Sequence, residues 1–311
     1  MRLYVLIPAY NEAETIAAVI AAVPRQIDKI SAVKILVIND GSTDETARRA
    51  QAAGADLMIN NCRNIGLART FKKGLDAALA AGADIIVNTD ADGQYDQREI
   101  PALIKPLLEN RAEIVIGDRQ VTSLKFMPAG NKYGNLLGSW ILRKISGTNV
   151  RDASSGFRAL SRQAALRINI FNRHTYTHEM IIQAAYHNMA VAEVPITFRP
   201  RLKGKSRLIK GLSSHIRDSG MIILRTILYY RPLRTLAGLS SLLILPGMAL
   251  GLRFVYHYFN REGGGMVQSL ILASILVIIG FNVLILGLIG DLIAKNRQLN
   301  EEALYQIKKN K

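Results

Sequence analysis

Residues 85–94 read Ile85-Ile86-Val87-Asn88-Thr89-Asp90-Ala91-Asp92-Gly93-Gln94. The apolar run Asp84–Thr89 predicts a strand, and the strand delivers two carboxylates, one residue apart, at its carboxyl end. In an extended segment residues two apart project to the same side, so Asp90, Asp92 and Gln94 are expected to converge. One or two carboxylates completed by substrate phosphates suit Mg2+ or Mn2+. Alone, an Asp-x-Asp pair is most often a solvated turn. Its place after an apolar strand, with Asp40 at the matching place after another, points instead to a metal and a nucleotide.

Working outward, short β-rich runs alternate with helical patterns. Strands are predicted at Leu3–Pro8, Lys34–Asn39, Asp56–Ile59, Asp84–Thr89 and Glu113–Gly117. Helices are predicted at Glu12–Val23, Thr43–Ala53, Leu67–Ala81 and Gln97–Glu109, two of them opened by capping boxes, Asn11 with Glu14 and Ser42 with Glu45. This alternation predicts an α/β fold with a mainly parallel sheet, whose ligands bind beyond the carboxyl ends of the strands. There the first strand runs into Pro8-Ala9-Tyr10-Asn11-Glu12 and the second into Asn39-Asp40-Gly41-Ser42. No GxGxxG follows the first strand and no Walker lysine loop occurs, which removes the main support for dinucleotide and P-loop readings.

Charge divides the chain. Its 311 residues carry a formal net charge of +16, but residues 1–110 are net −2 and residues 111–235 net +15. The basic belt precedes two 24-residue apolar stretches, Leu236–Phe259 and Met266–Ile289, each long enough to span a bilayer. A belt beside spans points to a membrane surface; it lacks the interleaved aromatic platforms of a nucleic-acid binder. Arg231 and Arg234 before the spans and Lys295, Arg297, Lys308, Lys309 and Lys311 after them outweigh Arg261 in the connecting turn, which predicts both termini on the cytoplasmic side. Met1 leads straight into a strand, so no signal peptide is expected there. Two segments, Tyr133–Ile145 and Leu208–Ile227, combine apolar and basic residues at helical spacing and suit the interface. The single cysteine, Cys62, excludes a disulfide-stapled secreted scaffold. His174, His178 and Glu179 lack the order and the further ligand of a zinc site.

Ordered motifs carry a resemblance. After those already quoted come Asn64-Ile65-Gly66 leading to Gly74, Asp152-Ala153-Ser154-Ser155-Gly156-Phe157-Arg158, Glu193-Val194-Pro195-Ile196 and Gly204-Lys205-Ser206-Arg207-Leu208. With a two-helix membrane tail, this set resembles the family-2 glycosyltransferases, in the polyprenyl-phosphate branch that includes dolichol-phosphate mannosyltransferase. The resemblance implies a glycosyltransferase-A fold over residues 1–207, with a nucleotide-sugar half at 1–125 and an acceptor half at 126–207. It further implies a juxtamembrane amphipathic helix at 208–232, two spans at 233–293 and a basic cytoplasmic tail at 294–311. Pro8, Ala9, Tyr10, Glu12, Asp40 and Asp90 fall where the family holds the nucleotide; Asp90, Asp92 and Gln94 fall where it holds Mg2+ or Mn2+. Ser155 stands where threonine is usual and Arg207 where lysine is commoner. The processive QxxRW signature is missing, since the one tryptophan is Trp140, so a single sugar per acceptor is expected.

The implied reaction is an inverting transfer from a GDP- or UDP-linked sugar to undecaprenyl or dolichyl phosphate. A phosphate monoester is largely dianionic at neutral pH, so its acceptor site needs cations more than a base. Arg119, Arg158, Arg201, Lys205 and Arg207 are the expected phosphate contacts, with Arg199 and Lys203 in the same belt. Asp92, Asp152, Arg119 and Arg201 are the expected catalytic set, Asp152 being the candidate base or orienting group. Transfer to another membrane lipid such as diacylglycerol, a non-catalytic membrane-anchored nucleotide-sugar binder, and a homo-oligomer formed through the spans stand as alternatives or additions.

Overall fold

The five predicted strands form as β1 (Arg2–Ala9), β2 (Ala32–Asn39), β3 (Leu57–Asn60), β4 (Ile85–Asn88) and β5 (Ile114–Asp118). The computed structural model describes residues 1–124, 126–170, 176–201, 232–260 and 267–309. Two contact units emerge, Met1–Met221 with Tyr305–Lys311, and Ile222–Leu304.

In the first unit, Leu3, Leu6 and Ile7 of β1 are fully buried on both faces, as a central parallel strand requires. Helices α1 (Ile16–Ala21), α2 (Thr46–Ala52), α3 (Leu67–Ala80) and α4 (Ile100–Leu108) follow β1, β2, β3 and β4. Ala68, Phe71, Leu75 and Ala78 of α3 form a buried stripe that packs on β1 and β2. Helix α5 (Ala129–Ser146), β6 (Arg158–Ser161), α6 (Arg162–Arg167), α7 (Thr177–Tyr186) and β7 (Val191–Pro195) complete the unit.

The sheet order is β3-β2-β1-β4-β6-β5-β7. β1 lies between β2 and β4 in parallel register, so winding reverses there and a crevice opens beyond their carboxyl ends. The sheet is mainly parallel, as expected, with one departure the sequence does not announce: β6 runs antiparallel to both β4 and β5. Four residues long and buried, β6 offers too little sequence for a period to show.

The capping boxes are corrected. Helix α1 is preceded by Thr15 and α2 by Glu45, neither with a side-chain cap. Asn11 and Ser42 join the two loops instead: the Asn11 amide donates to Ser42 Oγ at 2.9 Å and Asn11 Oδ1 accepts from the Thr43 amide at 2.8 Å. With those side chains committed across the crevice, α1 and α2 begin later than predicted.

The second unit holds α8 (Pro232–Phe259) and most of α9 (Val267–Lys309), whose most apolar windows have mean hydropathy 1.8 and 2.7. Both are long and apolar enough to cross a membrane. The second runs on as helix through most of the segment expected as a tail. Small residues bring the two backbones together: Ser240 Oγ donates to the Gly280 carbonyl at 2.8 Å, and a Cβ on Gly247 would stand 2.9 Å from Val277 Cγ2.

Asp40, Gly41 and the segment after β3 form one edge of the crevice. Gly41 has φ of +71°, and a Cβ there would lie 2.5 Å from the Arg63 carbonyl carbon. Gly41→Ala is therefore expected to cost about 1–3 kcal/mol. A thermal melt checks this, and an unchanged melt contradicts it.

Candidate active site

The carboxylates after β4 occupy a turn, not an extended segment. Gly93 has φ of +74°, and Asp92 Oδ1 accepts the Gln94 amide at 3.1 Å. Asp90 and Asp92 thus share the crevice through a tight turn. Gln94 is drawn elsewhere, its side-chain amide donating to the Arg199 carbonyl at 3.2 Å. Gly156 makes room for Asp90, since a Cβ there would stand 2.9 Å from Asp90 Oδ2. Thr15 Oγ1 donates to the Ala91 carbonyl at 2.7 Å, fastening the loop after β1 to this turn.

Burial, reinforced by the charge of Asp92, pushes the Asp90 carboxyl up to about 7, against the opposing charges of Arg119 and Arg201. Burial also raises Asp92. Two hard oxygen donors held in this state fit a divalent cation. Arg201 pairs with Glu12, while its buried Nε has no hydrogen-bond partner among the described residues. An orphaned guanidinium donor beside two carboxylates fits a phosphate brought by a ligand.

Of the other expected nucleotide contacts, Pro8 and Ala9 end β1 and are buried, and Tyr10 is half-buried at the crevice. Asp40, 4% exposed, spends its carboxylate on the chain itself. Its oxygens accept from Asn61 Nδ2 at 2.9 Å, the Ile65 amide at 2.9 Å and the Gly66 amide at 3.1 Å. Asp40 thereby shapes the segment that enters α3.

Arg119, just beyond β5, is gripped by Asp152. Nε and Nη2 donate to the two carboxylate oxygens at 2.6 and 2.7 Å, and Nη2 also reaches Ser154 Oγ. Nη1 makes no hydrogen bond among the described residues, and the guanidinium lies 5.1 Å from the Phe198 ring centroid. Asp152 is 1% exposed. Burial would raise its carboxyl, but Arg119 more than offsets this and holds it below the usual carboxylate range. A buried anion so committed orients Arg119; of the two roles expected of Asp152, base or orienting group, this geometry fits the second.

Arg158 is corrected. It is fully buried, and its guanidinium donates to the carbonyls of Ala153 at 2.7 Å, Ser155 at 2.8 Å and Thr177 at 2.8 Å. It cannot reach an acceptor. Burial lowers it to about 10, so it stays a cation at neutral pH. Arg199 pairs with Asp96. Lys203, Lys205, Arg207, the Leu208–Ile227 segment and His174 lie outside the described residues; His178 and Glu179 lie on α7, Glu179 buried.

Three residues outside every motif, Asn135, Ser139 and Tyr95, together with Glu193, touch the segment 151–156 or Asp152 itself. Their signal is spatial and does not show in spacing.

A model of glycosyl transferase family 2 matches residues 4–168. The chain belongs to that family. It is 30% identical to glycosyltransferase AglJ of Haloferax volcanii over 93% of this chain and 92% of that one. It is 28% identical to undecaprenyl-phosphate mannosyltransferase of Micrococcus luteus, over 68% of this chain and 89% of that one. Among solved structures, glucosyl-3-phosphoglycerate synthase of Mycobacterium tuberculosis, in complex with Mn2+ and UDP, superposes with a TM-score of 0.54 and 23% identity. That match covers 71% of this chain and 79% of the synthase. The fold is glycosyltransferase-A-like, and the protein is a glycosyltransferase.

Removing the buried Arg158 guanidinium leaves three carbonyls without their donor. Arg158→Met is expected to destabilise the protein by about 3 kcal/mol or more, and Arg158→Lys by less. Thermal unfolding in detergent measures both; equal stability of Arg158→Met and wild type contradicts the assignment.

Proposed function

We propose that this glycosyltransferase moves a single sugar, with inversion, from a GDP- or UDP-linked donor to the phosphate of a polyprenyl phosphate at the cytoplasmic face of a membrane. The observation that carries the reading is the juxtaposition of Asp90 and Asp92 with two arginines, each already held by its own carboxylate. Relatives that act on lipid phosphates, such as the mannosyltransferase named above, support the acceptor class.

Asp92 and Asp90 would hold Mg2+ or Mn2+, which supplies Lewis-acid stabilisation of the charge that builds on the leaving diphosphate. Arg201, with its unpartnered Nε, adds a donor on the same side. Pro8, Ala9, Tyr10, Glu12 and Asp40 frame the nucleoside. Arg119 presents its free Nη1 to the acceptor phosphate, while Asp152 keeps the guanidinium from turning. A cavity of about 320 Å³ opens beside it, lined by Arg119, Gln120, Ser123, Phe198 and Thr197, and by Glu99, whose carboxylate is taken up by the Thr197 amide and hydroxyl. A dianionic phosphate oxygen attacks the anomeric carbon without losing a proton, so the site works although Asp152 is committed. Lys205 and Arg207, outside the described residues, would add positive charge for the acceptor phosphate.

The rest of the chain would bring this site to its acceptor. Tyr133, Leu137 and Trp140 stand exposed at helical spacing on α5, with Lys144 on the same side. Such a face suits a lipid interface. Helices α8 and α9 would span the bilayer with both termini cytoplasmic, dividing catalytic, juxtamembrane, spanning and tail segments near residues 207, 232 and 293.

The test is a panel of GDP- and UDP-linked sugars given to the full chain in vesicles with polyprenyl phosphate and Mg2+ or Mn2+, read by mass spectrometry. One donor is expected to yield a lipid carrying one sugar. Arg119→Lys should lower kcat/KM for the acceptor about 100-fold, since an ammonium cannot reproduce the bidentate grip. Transfer by Asp92→Asn at the wild-type rate, or no product from any donor, overturns the reading.

A further inference from the structure

Glu193 belongs to a quoted motif that the reaction has not used. It lies on β7, the edge strand of the sheet, paired in register with Ile116 of β5. Its Oε1 accepts two backbone amides at once, Arg151 at 2.7 Å and Asp152 at 3.0 Å. Burial raises the carboxyl, and those two amides oppose the rise. One oxygen therefore fixes the peptide from which the Asp152 side chain departs. Two residues beyond Ile116, β5 ends and Arg119 follows, so both members of the Asp152–Arg119 pair are referenced to β7.

The remainder of the segment is held by other side chains. Ser139 Oγ accepts the Ala153 amide at 3.1 Å, and Tyr95 Oη accepts the Gly156 amide at 2.9 Å. Asn88 donates to the Gly156 carbonyl at 2.8 Å, and Arg158 holds the carbonyls of Ala153 and Ser155. Asn88 and Arg158 are fully buried, so changing them disturbs the core. Glu193 is only half-buried and can be changed without opening it.

We infer that Glu193 is a positioning residue for transfer: by clasping the amides of Arg151 and Asp152 it sets the direction in which Asp152 presents Arg119 to the acceptor. This rests on the reading that Arg119 meets the acceptor phosphate. The carboxamide of glutamine keeps an oxygen where Oε1 stands, whereas alanine removes it. That difference separates a held loop from a general loss of charge.

The experiment uses full-length wild type, Glu193→Gln and Glu193→Ala in lipid nanodiscs with undecaprenyl phosphate as the acceptor. Glu193→Ala is expected to lower kcat/KM for the acceptor about 10-fold or more, because small misplacements of a positioning group are costly. Its affinity for the nucleoside diphosphate should stay at the wild-type value, and Glu193→Gln should recover most of the acceptor kinetics. Hydrogen exchange of the peptide spanning Arg151–Asp152 should quicken in Glu193→Ala and not in Glu193→Gln. Unchanged acceptor kinetics in Glu193→Ala, parallel loss of nucleotide affinity, or equal impairment of both variants overturns the inference. Wild type that glycosylates no lipid phosphate overturns the acceptor reading instead, and the exchange measurement then decides separately whether Glu193 holds the loop.

Discussion

The constraint on which the site depends is the like charge of Asp90 and Asp92 in a partly desolvated crevice. Two carboxylates so placed resist ionising together unless cations meet them. The chain supplies Arg119 and Arg201 and then restrains each with a further carboxylate, Asp152 and Glu12. Signs alternate outward from the pair, and each member fixes the next. The protein's own carboxylates hold both guanidiniums in place, which is what stabilisation of a developing charge requires.

The fold makes that alternation possible. β1 and β4 are adjacent and parallel, so Glu12 and the Asp90–Asp92 turn emerge side by side although far apart in sequence. β6 brings the 152–156 segment back against β4 from the opposite direction, and β5 delivers Arg119 to meet it. Without the antiparallel strand, Asp152 would leave the sheet at the wrong end.

The first half of the chain was largely legible in the sequence, because its five strands show as apolar runs and three of them, β1, β2 and β4, lead into polar motifs. What was not legible depends on contacts across the fold. Arg158 counts as one more charge in a basic belt until its burial is seen. Asn11 and Ser42 match capping boxes by spacing, but their side chains are spent joining two loops. By type and motif Asp152 reads equally as a base or an orienting group, and its pairing with Arg119 favours the second. The net charge of +16 is likewise a local quantity, concentrated between residues 111 and 235 and suited to a lipid phosphate at a membrane surface.

The most direct measurement of this account compares polyprenyl phosphate with the matching polyprenol in the same vesicles, with the same sugar donor and metal. A site whose cations face the acceptor while Asp152 is committed to Arg119 is predicted to glycosylate only the phosphate, giving a new phosphodiester signal by phosphorus NMR. Equal transfer to the alcohol, or transfer to diacylglycerol in its place, would contradict it.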